Sequence, residues 1–267
     1  MTAGRLRALH LLTDAELAPV RGVLTDIDDT LTRDGAIEPA ALHALQQLAQ
    51  AGLPAIAVTG RPAGWSEPFA MAWPVAAIVA ENGAVMLRRL GAALQRDFTQ
   101  DQPTRQANFS RLQQCAQALL AALPQARLAR DSAGRLTDIA VDHSEFTHLD
   151  AADIDRVLAL MQAHGLRASV SSIHVNGWIG THDKWSGARW AVETALQRPF
   201  DPAEWLYVGD STNDQRMFEQ LPLSVGVANI GRFVPQLHVL PKYVTPSERG
   251  RGFAEVVQRL LQARRAV

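Results

Sequence analysis

The sequence predicts an α/β fold in which a parallel sheet is interrupted by a second, α+β unit. Residues 22–80 and 183–261 alternate short apolar strand patterns with helical ones, which is typical of a parallel sheet with helices on both faces. Residues 100–181 have a different rhythm: a helix and a hairpin, then another helix and hairpin. We therefore predict a core of residues 1–99 and 182–267 with an inserted unit of residues 100–181.

In the first half of the core, apolar runs predict buried strands over residues 22–27, 53–58 and 75–80. Leucines at helical spacing predict a helix over residues 39–51, and Pro39 suits its first position. The later elements are predicted from the same patterns. In the second half of the core they are helices over 183–196, 213–220 and 253–261 and strands over 205–208 and 223–227. In the inserted unit they are helices over 106–121 and 151–164 and two hairpins. The first hairpin pairs 126–130 with 136–141, and the second pairs 166–170 with 173–178.

The charges of the chain are balanced, with 26 Lys and Arg against 27 Asp and Glu. No net field attracts such a protein to nucleic acid or to an anionic membrane, and no apolar run approaches the ~20 residues of a spanning helix. Cys115 is the lone cysteine, and residues 1–12 lack the pattern of a secretory signal. We expect a cytoplasmic monomer or dimer that acts on a small molecule.

Acidic residues follow the first core strand in the run Asp26-Ile27-Asp28-Asp29-Thr30. Ligands of open α/β sheets bind at the carboxyl ends of the strands, where this run is predicted to lie. Three carboxylates in four positions repel one another unless a cation gathers them. The run therefore indicates a Mg²⁺ site, although a solvated acidic turn would show the same pattern.

Three further motifs lie at the ends or starts of core elements. Thr59-Gly60-Arg61 could cradle an anion at a helix start, or be a tight turn. Lys184 opens a helix, where a lysine does not favour the helix dipole, although it could be an ordinary surface lysine beside a capping Asp183. The run Gly209-Asp210-Ser211-Thr212-Asn213-Asp214 again puts acids after a strand, and could be an N-cap with turn residues.

Taken together, these four motifs resemble those of the haloacid dehalogenase superfamily phosphatases. The matching positions, in order, are Asp26-x-Asp28-x-Thr30, Thr59, Lys184 and Gly209-Asp210-x-x-Asn213-Asp214. The resemblance covers nearly the whole chain. An insertion between the second and third motifs is similar to the subgroup of sugar phosphatases and phosphomannomutases (subfamily IIB), as is Glu81-Asn82-Gly83, although Asn-Gly alone is usually a turn.

The resemblance implies a Rossmann-like core, an insertion that acts as a cap, and a set of residue roles. Asp26 would be the nucleophile that forms an aspartyl-phosphate, and Asp28 the general acid and base. Thr59 and Lys184 would balance the charge of the transferring oxygens. The implied substrate contacts are Thr59, Gly60, Arg61, Asn82, Lys184 and Asn213. The implied Mg²⁺ ligands are Asp26, Asp28 through its backbone carbonyl, and Asp210. Asn213 and Asp214 would orient Lys184 or the waters of the metal.

The cap is expected to meet the part of the substrate that lies beyond the phosphate. Trp178 or His174 could contact a sugar, but a buried Trp and a solvated His fit the pattern equally well. Arg127, Arg130 and Arg135 could bind a second anionic group, yet arginines on a hairpin more often form a solvated face.

We therefore expect a Mg²⁺-dependent phosphomonoester hydrolase for a small phosphorylated metabolite, with a sugar phosphate favoured. A phosphosugar mutase stays open, although it would need two phosphate positions. A catalytically silent binding module also stays open, although such a relative would often have lost one of the residues that are intact here. A dehalogenase is disfavoured because that chemistry needs no acid at Asp28.

Overall fold

The computed structural model describes residues 6–265, so the outermost ends of the predicted core, 1–5 and 266–267, lie outside the described residues. The helices are α1 (Asp14–Leu17), α2 (Pro39–Gln50), α3 (Ala63–Ala72), α4 (Gln102–Ala122), α5 (Ala151–Ala163), α6 (Lys184–Ala195), α7 (Gln215–Gln220) and α8 (Arg249–Arg265). The strands are β1 (Arg7–Ala8), β2 (Gly22–Thr25), β3 (Thr32–Arg33), β4 (Ala36–Ile37), β5 (Ala55–Val58), β6 (Ala77–Ala80), β7 (Val85–Leu90), β8 (Ala93–Phe98), β9 (Arg127–Leu128), β10 (Asp138–Asp142), β11 (Arg167–Val170), β12 (His174–Trp178), β13 (Trp205–Gly209), β14 (Leu223–Gly226) and β15 (Tyr243–Val244).

Within residues 6–265, the large sheet has nine strands in the order β1-β15-β14-β13-β2-β5-β6-β7-β8. All neighbours from β1 to β6 run parallel, while β7 and β8 extend the sheet as an antiparallel hairpin. The strands β2, β5, β6, β13 and β14 are buried along their whole length, as expected for strands covered on both faces. The predicted α/β fold with a parallel sheet is confirmed.

Helices cover both faces of this sheet and form two apolar clusters with it. On one face α2 and α8 bury residues such as Leu45 and Phe253. On the other face α6 and α7 bury residues such as Val192 and Met217. The two layers fix the carboxyl ends of β2, β5 and β13 at one edge of the sheet. Within residues 6–265, no helix is both long and apolar enough to cross a membrane.

Residues 102–178, which we call the insertion, form a separate antiparallel sheet in the order β11-β12-β10-β9. Because side chains alternate along a strand, one face of this sheet is apolar and the other polar. The apolar face packs on α4 and α5 around Cys115, Val141 and Val175. On the polar face, Asn176 Nδ2 donates to the carbonyl of Gly60 in the core (3.1 Å), so this face meets the core.

A 3₁₀ turn after β6, Glu81–Gly83, is hydrogen-bonded to both the core and the insertion. The Glu81 carboxylate accepts hydrogen bonds from the backbone N–H of Ala63, at the start of α3 (3.0 Å), and from the N–H of Thr137 in the insertion (2.6 Å). Glu81 and Asn82 both have left-handed backbones, with φ of 51° and 55°. Such conformations cost non-glycine residues of order 1 kcal/mol or more, so the surrounding contacts hold this turn.

The structure differs from the predicted elements at the edges of the sheet, at α4, which begins four residues before the predicted 106, and at the last helix. The outer strands β1, β15, β7 and β8 were not predicted, and α8 begins four residues before the predicted start. The early start includes Gly250 and Gly252, which are poor helix formers. Both lie where an added Cβ would meet neighbouring atoms, Glu38 Cβ at 2.8 Å in the case of Gly250. Close packing of α8 on α2 therefore overrides the weak helix propensity.

Candidate active site

The two acidic motifs meet because β2 and β13 are parallel neighbours. Asp26 follows β2 and Asp210 follows β13, while Asp214 ends the 3₁₀ turn Thr212–Asp214. Carboxylate oxygens of these three residues lie within 4.8 Å of one another, and all three side chains are buried. The arrangement concentrates negative charge at the carboxyl edge of the sheet, at the point where the strand order changes direction, and such points are common ligand sites.

Lys184 places a positive charge inside this acidic cluster. Its Nζ donates to Asp26 Oδ1 (2.5 Å), to Asp214 Oδ1 (2.7 Å) and, more weakly, to Asn213 Oδ1 (3.2 Å). Burial alone would lower the pKa of Lys184, but the carboxylates of Asp214 and Asp26 raise it above its usual value. The side chain is buried, so the interpretation of Lys184 as a surface lysine is wrong.

Asp214 has both oxygens occupied by donors. Oδ1 accepts from Lys184 and from the hydroxyl of Tyr207 (2.5 Å), and Oδ2 accepts from the backbone N–H groups of Asp210 (2.8 Å) and Ser211 (3.1 Å). A carboxylate held at four points is fixed in orientation. Asp214 therefore positions Lys184 and the backbone of the motif.

Asp210 is different, because one of its oxygens lacks a donor. Oδ2 accepts from Asn229 Nδ2 (3.0 Å), whereas the buried Oδ1 has no hydrogen-bond partner among the described residues. Burial and the charges of Asp26 and Asp214 raise the pKa of Asp210 well above its usual value, and burial raises that of Asp26 to about 8. A divalent cation among these oxygens would reverse both shifts.

The donor set therefore fits Mg²⁺, which prefers oxygen ligands and few protein carboxylates. Asp26 and Asp210 are the candidate side-chain ligands, with the backbone carbonyl of Asp28 as a third. Asp214 belongs to the same cluster of oxygens but has both of its own oxygens taken.

Asp28 lies beside the second motif. Its Oδ1 accepts from Arg61 Nε (2.9 Å), and its Oδ2 lies 3.4 Å from the hydroxyl of Thr59. The same hydroxyl accepts from the backbone N–H of Arg61 (3.0 Å). Thr59 thus connects the loop after β5 to Asp28, and Arg61 neutralises the carboxylate.

Arg61 also contacts two acids of the insertion. Its guanidinium donates to Asp131 (3.0 Å) and to Glu145 (2.7 Å), and Glu145 further accepts from His174 Nε2 (3.0 Å). Burial alone would raise the pKa of Glu145, but the hydrogen bonds from His174 and Arg61 lower it to about 2. His174 is buried in this contact, so the interpretation of it as solvated is wrong.

Arg135 and Asn82 lie one layer deeper. Arg135 Nη1 donates to Asp138 (2.8 Å) and to the carbonyl of Gly60 (3.0 Å), and its side chain is buried, so it is not part of a solvated face. Asn82 Nδ2 donates to the same Asp138 (3.3 Å). Burial raises the pKa of Asp138 to about 7. Asn82 thus supports the loop at Gly60, and it lines neither of the cavities described next.

Two adjoining cavities lie between core and insertion. The inner one, of about 10 Å³, is lined by Asp26, Asn213 and residues of the insertion. The outer one, of about 310 Å³, opens beyond Asp28 and Arg61, which line both. Trp178 is buried and lines neither. The sequence analysis did not identify five functional candidates: Tyr207, Asn229, Glu145, Arg232 and Arg249. Asp29, the third acid of the first motif, had no assigned role, and it was the available signal for Arg232 and Arg249.

Known proteins resemble this chain in sequence and in fold. The profile of the haloacid dehalogenase-like hydrolases matches residues 23–123. A phosphoglycolate phosphatase of Methanoculleus marisnigri is 25% identical over 248 residues, which cover 90% of this chain and 96% of that protein. Two solved structures share the fold. A protein of Thermoplasma acidophilum has a TM-score of 0.67 and 19% identity, and the match covers 91% of this chain and 98% of that one. The sucrose-phosphatase of Synechocystis in complex with sucrose and phosphate has a TM-score of 0.64 and 17% identity, and the match covers 90% of this chain and 98% of that one.

A lysine buried among carboxylates at the switch point of a parallel sheet is an arrangement suited to phosphate esters, and the protein is a phosphatase. Over residues 23–123 the chain is similar to the haloacid dehalogenase-like hydrolases.

Proposed function

We propose that the protein is a Mg²⁺-dependent phosphomonoesterase that forms an aspartyl-phosphate on Asp26 and acts on a phosphorylated sugar or sugar-like metabolite. The observation that carries the proposal is the environment of Asp26. Lys184 binds one of its oxygens, while Oδ2 accepts no hydrogen bond from residues 6–265. The side chain lines the inner cavity, which supports a role for the free oxygen as nucleophile.

In the first step, Asp26 Oδ2 would form a bond to phosphorus while the bond from phosphorus to the leaving oxygen breaks. Lys184, held by Asp214, would keep Asp26 oriented and balance charge on the phosphoryl oxygens. Asp28 would give a proton to the leaving oxygen. Mg²⁺ bound by Asp26, Asp210 and the Asp28 carbonyl would neutralise the charge of the phosphoryl group.

In the second step, Asp28 would take a proton from a water that attacks phosphorus, which frees Asp26 and inorganic phosphate. Arg61 and Thr59 hold the Asp28 carboxylate at the boundary of the two cavities, where a leaving group would pass. Ser172 and Ile173 of the insertion line both cavities at this boundary. Its role would be to exclude bulk water and to select the leaving group.

The substrate class is supported by the outer cavity and by the relatives. A cavity of about 310 Å³ with many polar residues is large enough for a small polar leaving group but not for a macromolecule. The named relatives are phosphatases of sucrose phosphate and of phosphoglycolate, both small phosphomonoesters. A cytoplasmic location, a monomeric or dimeric state and the assignment of the insertion as a cap stay predictions.

The test is phosphate release from a panel of sugar phosphates, phosphoglycerates, nucleotides and p-nitrophenyl phosphate, with Mg²⁺ and with EDTA. Asp26→Asn should lower the rate by about 10³-fold or more. Asp97→Asn, at a strand remote from the cavities, is the matched control. Acid quenching of wild type should trap phosphate on the protein in a form that hydroxylamine releases. Turnover by Asp26→Asn near the wild-type rate would overturn the mechanism, and isomerised sugar phosphate without free phosphate would identify a mutase.

A further inference from the structure

One wall of the outer cavity carries two arginines that none of the four motifs includes. Arg232 follows β14 in a 3₁₀ turn, Ala228–Arg232, and Arg249 is the first residue of α8. Both line the outer cavity together with Asp29. Because chain segments more than 200 residues apart supply this wall, the cluster depends on the tertiary fold.

Both arginines share a single carboxylate. Asp29 Oδ1 accepts from Arg249 Nε (2.8 Å), and Asp29 Oδ2 accepts from Arg232 Nη2 (2.7 Å), which also lies 3.4 Å from Asp210 Oδ2. Within the described part of the chain, Nη1 and Nη2 of Arg249 and Nε and Nη1 of Arg232 donate to no residue. The pair therefore presents unused N–H donors beside the carboxylates of Asp29 and Asp210.

The backbone around this cluster is held in place rather than loosely exposed. Asn229 Oδ1 accepts from the backbone N–H of Arg249 (3.0 Å), and Asn229 Nδ2 donates to the backbone carbonyl of Asp29 (3.0 Å). Asp29 and Arg249 have left-handed backbones, with φ of 56° and 52°. Strained residues of this kind persist where surrounding contacts fix them, and they are frequent at ligand sites.

The other wall of the cavity does not favour an anion. Asp28, Glu145 and Arg61 are the charged groups there, and both carboxylates already accept from Arg61, so the net charge of that wall is negative. Asp34, at the tip of the β3–β4 hairpin, lines the rim and is exposed. An anionic group in the cavity is therefore attracted to the side of Arg249 and Arg232 and repelled by Asp34.

We propose that Arg249 and Arg232 bind a carboxylate on the leaving group, so that the preferred substrates are phosphomonoesters of hydroxy acids or sugar acids. The proposal rests on the proposed phosphatase function and narrows its substrate class. The planar guanidinium of Arg249, fixed through Nε, leaves its two terminal amino groups for two carboxylate oxygens, the geometry in which arginine binds carboxylates best. Arg232 adds charge and further donors.

The test compares two substrates of nearly equal size, 3-phosphoglycerate and glycerol 3-phosphate, which differ by a carboxylate in place of a hydroxymethyl group. The quantity measured is the ratio of their kcat/KM values. Arg249→Gln should lower the ratio (acid over alcohol) by about 10- to 100-fold, the effect expected for losing a charge-assisted hydrogen-bonding pair. The matched control is Arg251→Gln, which removes the same charge from an exposed position that lines no described cavity.

Asp34→Asn provides a second variant of opposite sign, which is independent of any folding defect in Arg249→Gln. Removal of the Asp34 charge should raise the ratio about 2- to 5-fold, because one repulsive charge at the exposed rim is partly screened. An equal loss on both substrates in Arg249→Gln, or an unchanged ratio, would overturn the carboxylate site. If Arg249→Gln fails to fold, the Asp34→Asn variant decides the question: an unchanged or lowered ratio of kcat/KM values (acid over alcohol) would overturn the carboxylate site. Failure of the wild-type protein to hydrolyse any phosphomonoester, p-nitrophenyl phosphate included, would instead overturn the proposed function.

Discussion

Replacement of Lys184 by Met removes a buried positive charge from the acidic cluster while keeping an unbranched side chain. Lys184 is 3% exposed, and its Nζ contacts carboxylates of both Asp26 and Asp214. Loss of one partner from a buried ion pair typically costs about 3–5 kcal/mol, because the remaining charge is left uncompensated. We expect the free energy of unfolding to fall by about that amount at pH 7.5 in EDTA.

The pH dependence of this loss has a definite sign. The pKa of Lys184 is raised in the folded protein, so its stabilising contribution is complete below its ordinary pKa and is fully present at pH 7.5. Without Lys184, one more carboxylate of the cluster must take up a proton on folding. The deficit should therefore shrink by about 1.4 kcal/mol per pH unit as the pH falls toward 5.5. Lys184 holds down the pKa of Asp26, so in the variant the pKa of Asp26 rises further above its value of about 8.

Urea unfolding followed by tryptophan fluorescence measures these differences at the two pH values, since the chain has six tryptophans. The matched control is Lys242→Met, which removes the other lysine of the chain. Lys242 is 41% exposed and pairs with Glu16, and an exposed pair of this kind contributes roughly 0.2–1 kcal/mol. Equal, small losses in the two variants, or a Lys184→Met deficit that does not change with pH, would refute the buried charge arrangement.

Two substitutions and one labelling experiment test the contacts between core and insertion. Gly60→Ala places a Cβ 3.2 Å from Oδ1 of both Asn176 and Asn82, so we expect stability to fall by roughly 1–3 kcal/mol in urea unfolding, together with a lower kcat. Glu81→Gln removes a charged acceptor of three backbone N–H groups and should cost roughly 2 kcal/mol in the same assay. The Cys115 thiol is buried, and burial raises its pKa. Labelling by a disulfide reagent should therefore be slow in the wild-type protein and faster in Glu81→Gln. Equal labelling rates would show that Glu81 does not stabilise the insertion.

The central part of the fold could be predicted because its signals are local. The strands β2, β5 and β13 are short continuous apolar runs, and the acids that follow β2 and β13 must meet once the strands are parallel neighbours. Lys184 could be placed at a helix start from the sequence. Its burial between Asp26 and Asp214 could not, because that depends on how α6 packs on the sheet.

Other parts could not be predicted because tertiary contacts decide them. The edge strand β1 and its neighbour β15 have two residues each, too short for a periodic pattern. Arg249 lies in an Arg-Gly-Arg-Gly stretch that is typical of a loop, and only packing makes it the start of α8. Glu145 belongs to a loop of the insertion without periodicity, and its contact with Arg61 joins residues 84 positions apart.

The carbonyl of Gly60 has a further consequence for how this enzyme could diversify. That oxygen accepts from Arg135 and from Asn176, so two side chains of the insertion hold the loop whose neighbours Thr59 and Arg61 support Asp28. An insertion transplanted from a relative would leave this oxygen without donors unless equivalent side chains came with it. Selectivity and turnover are therefore inherited together, and a chimera that exchanges only the substrate-facing residues of the insertion, with Arg135 and Asn176 retained, has the better chance of staying active.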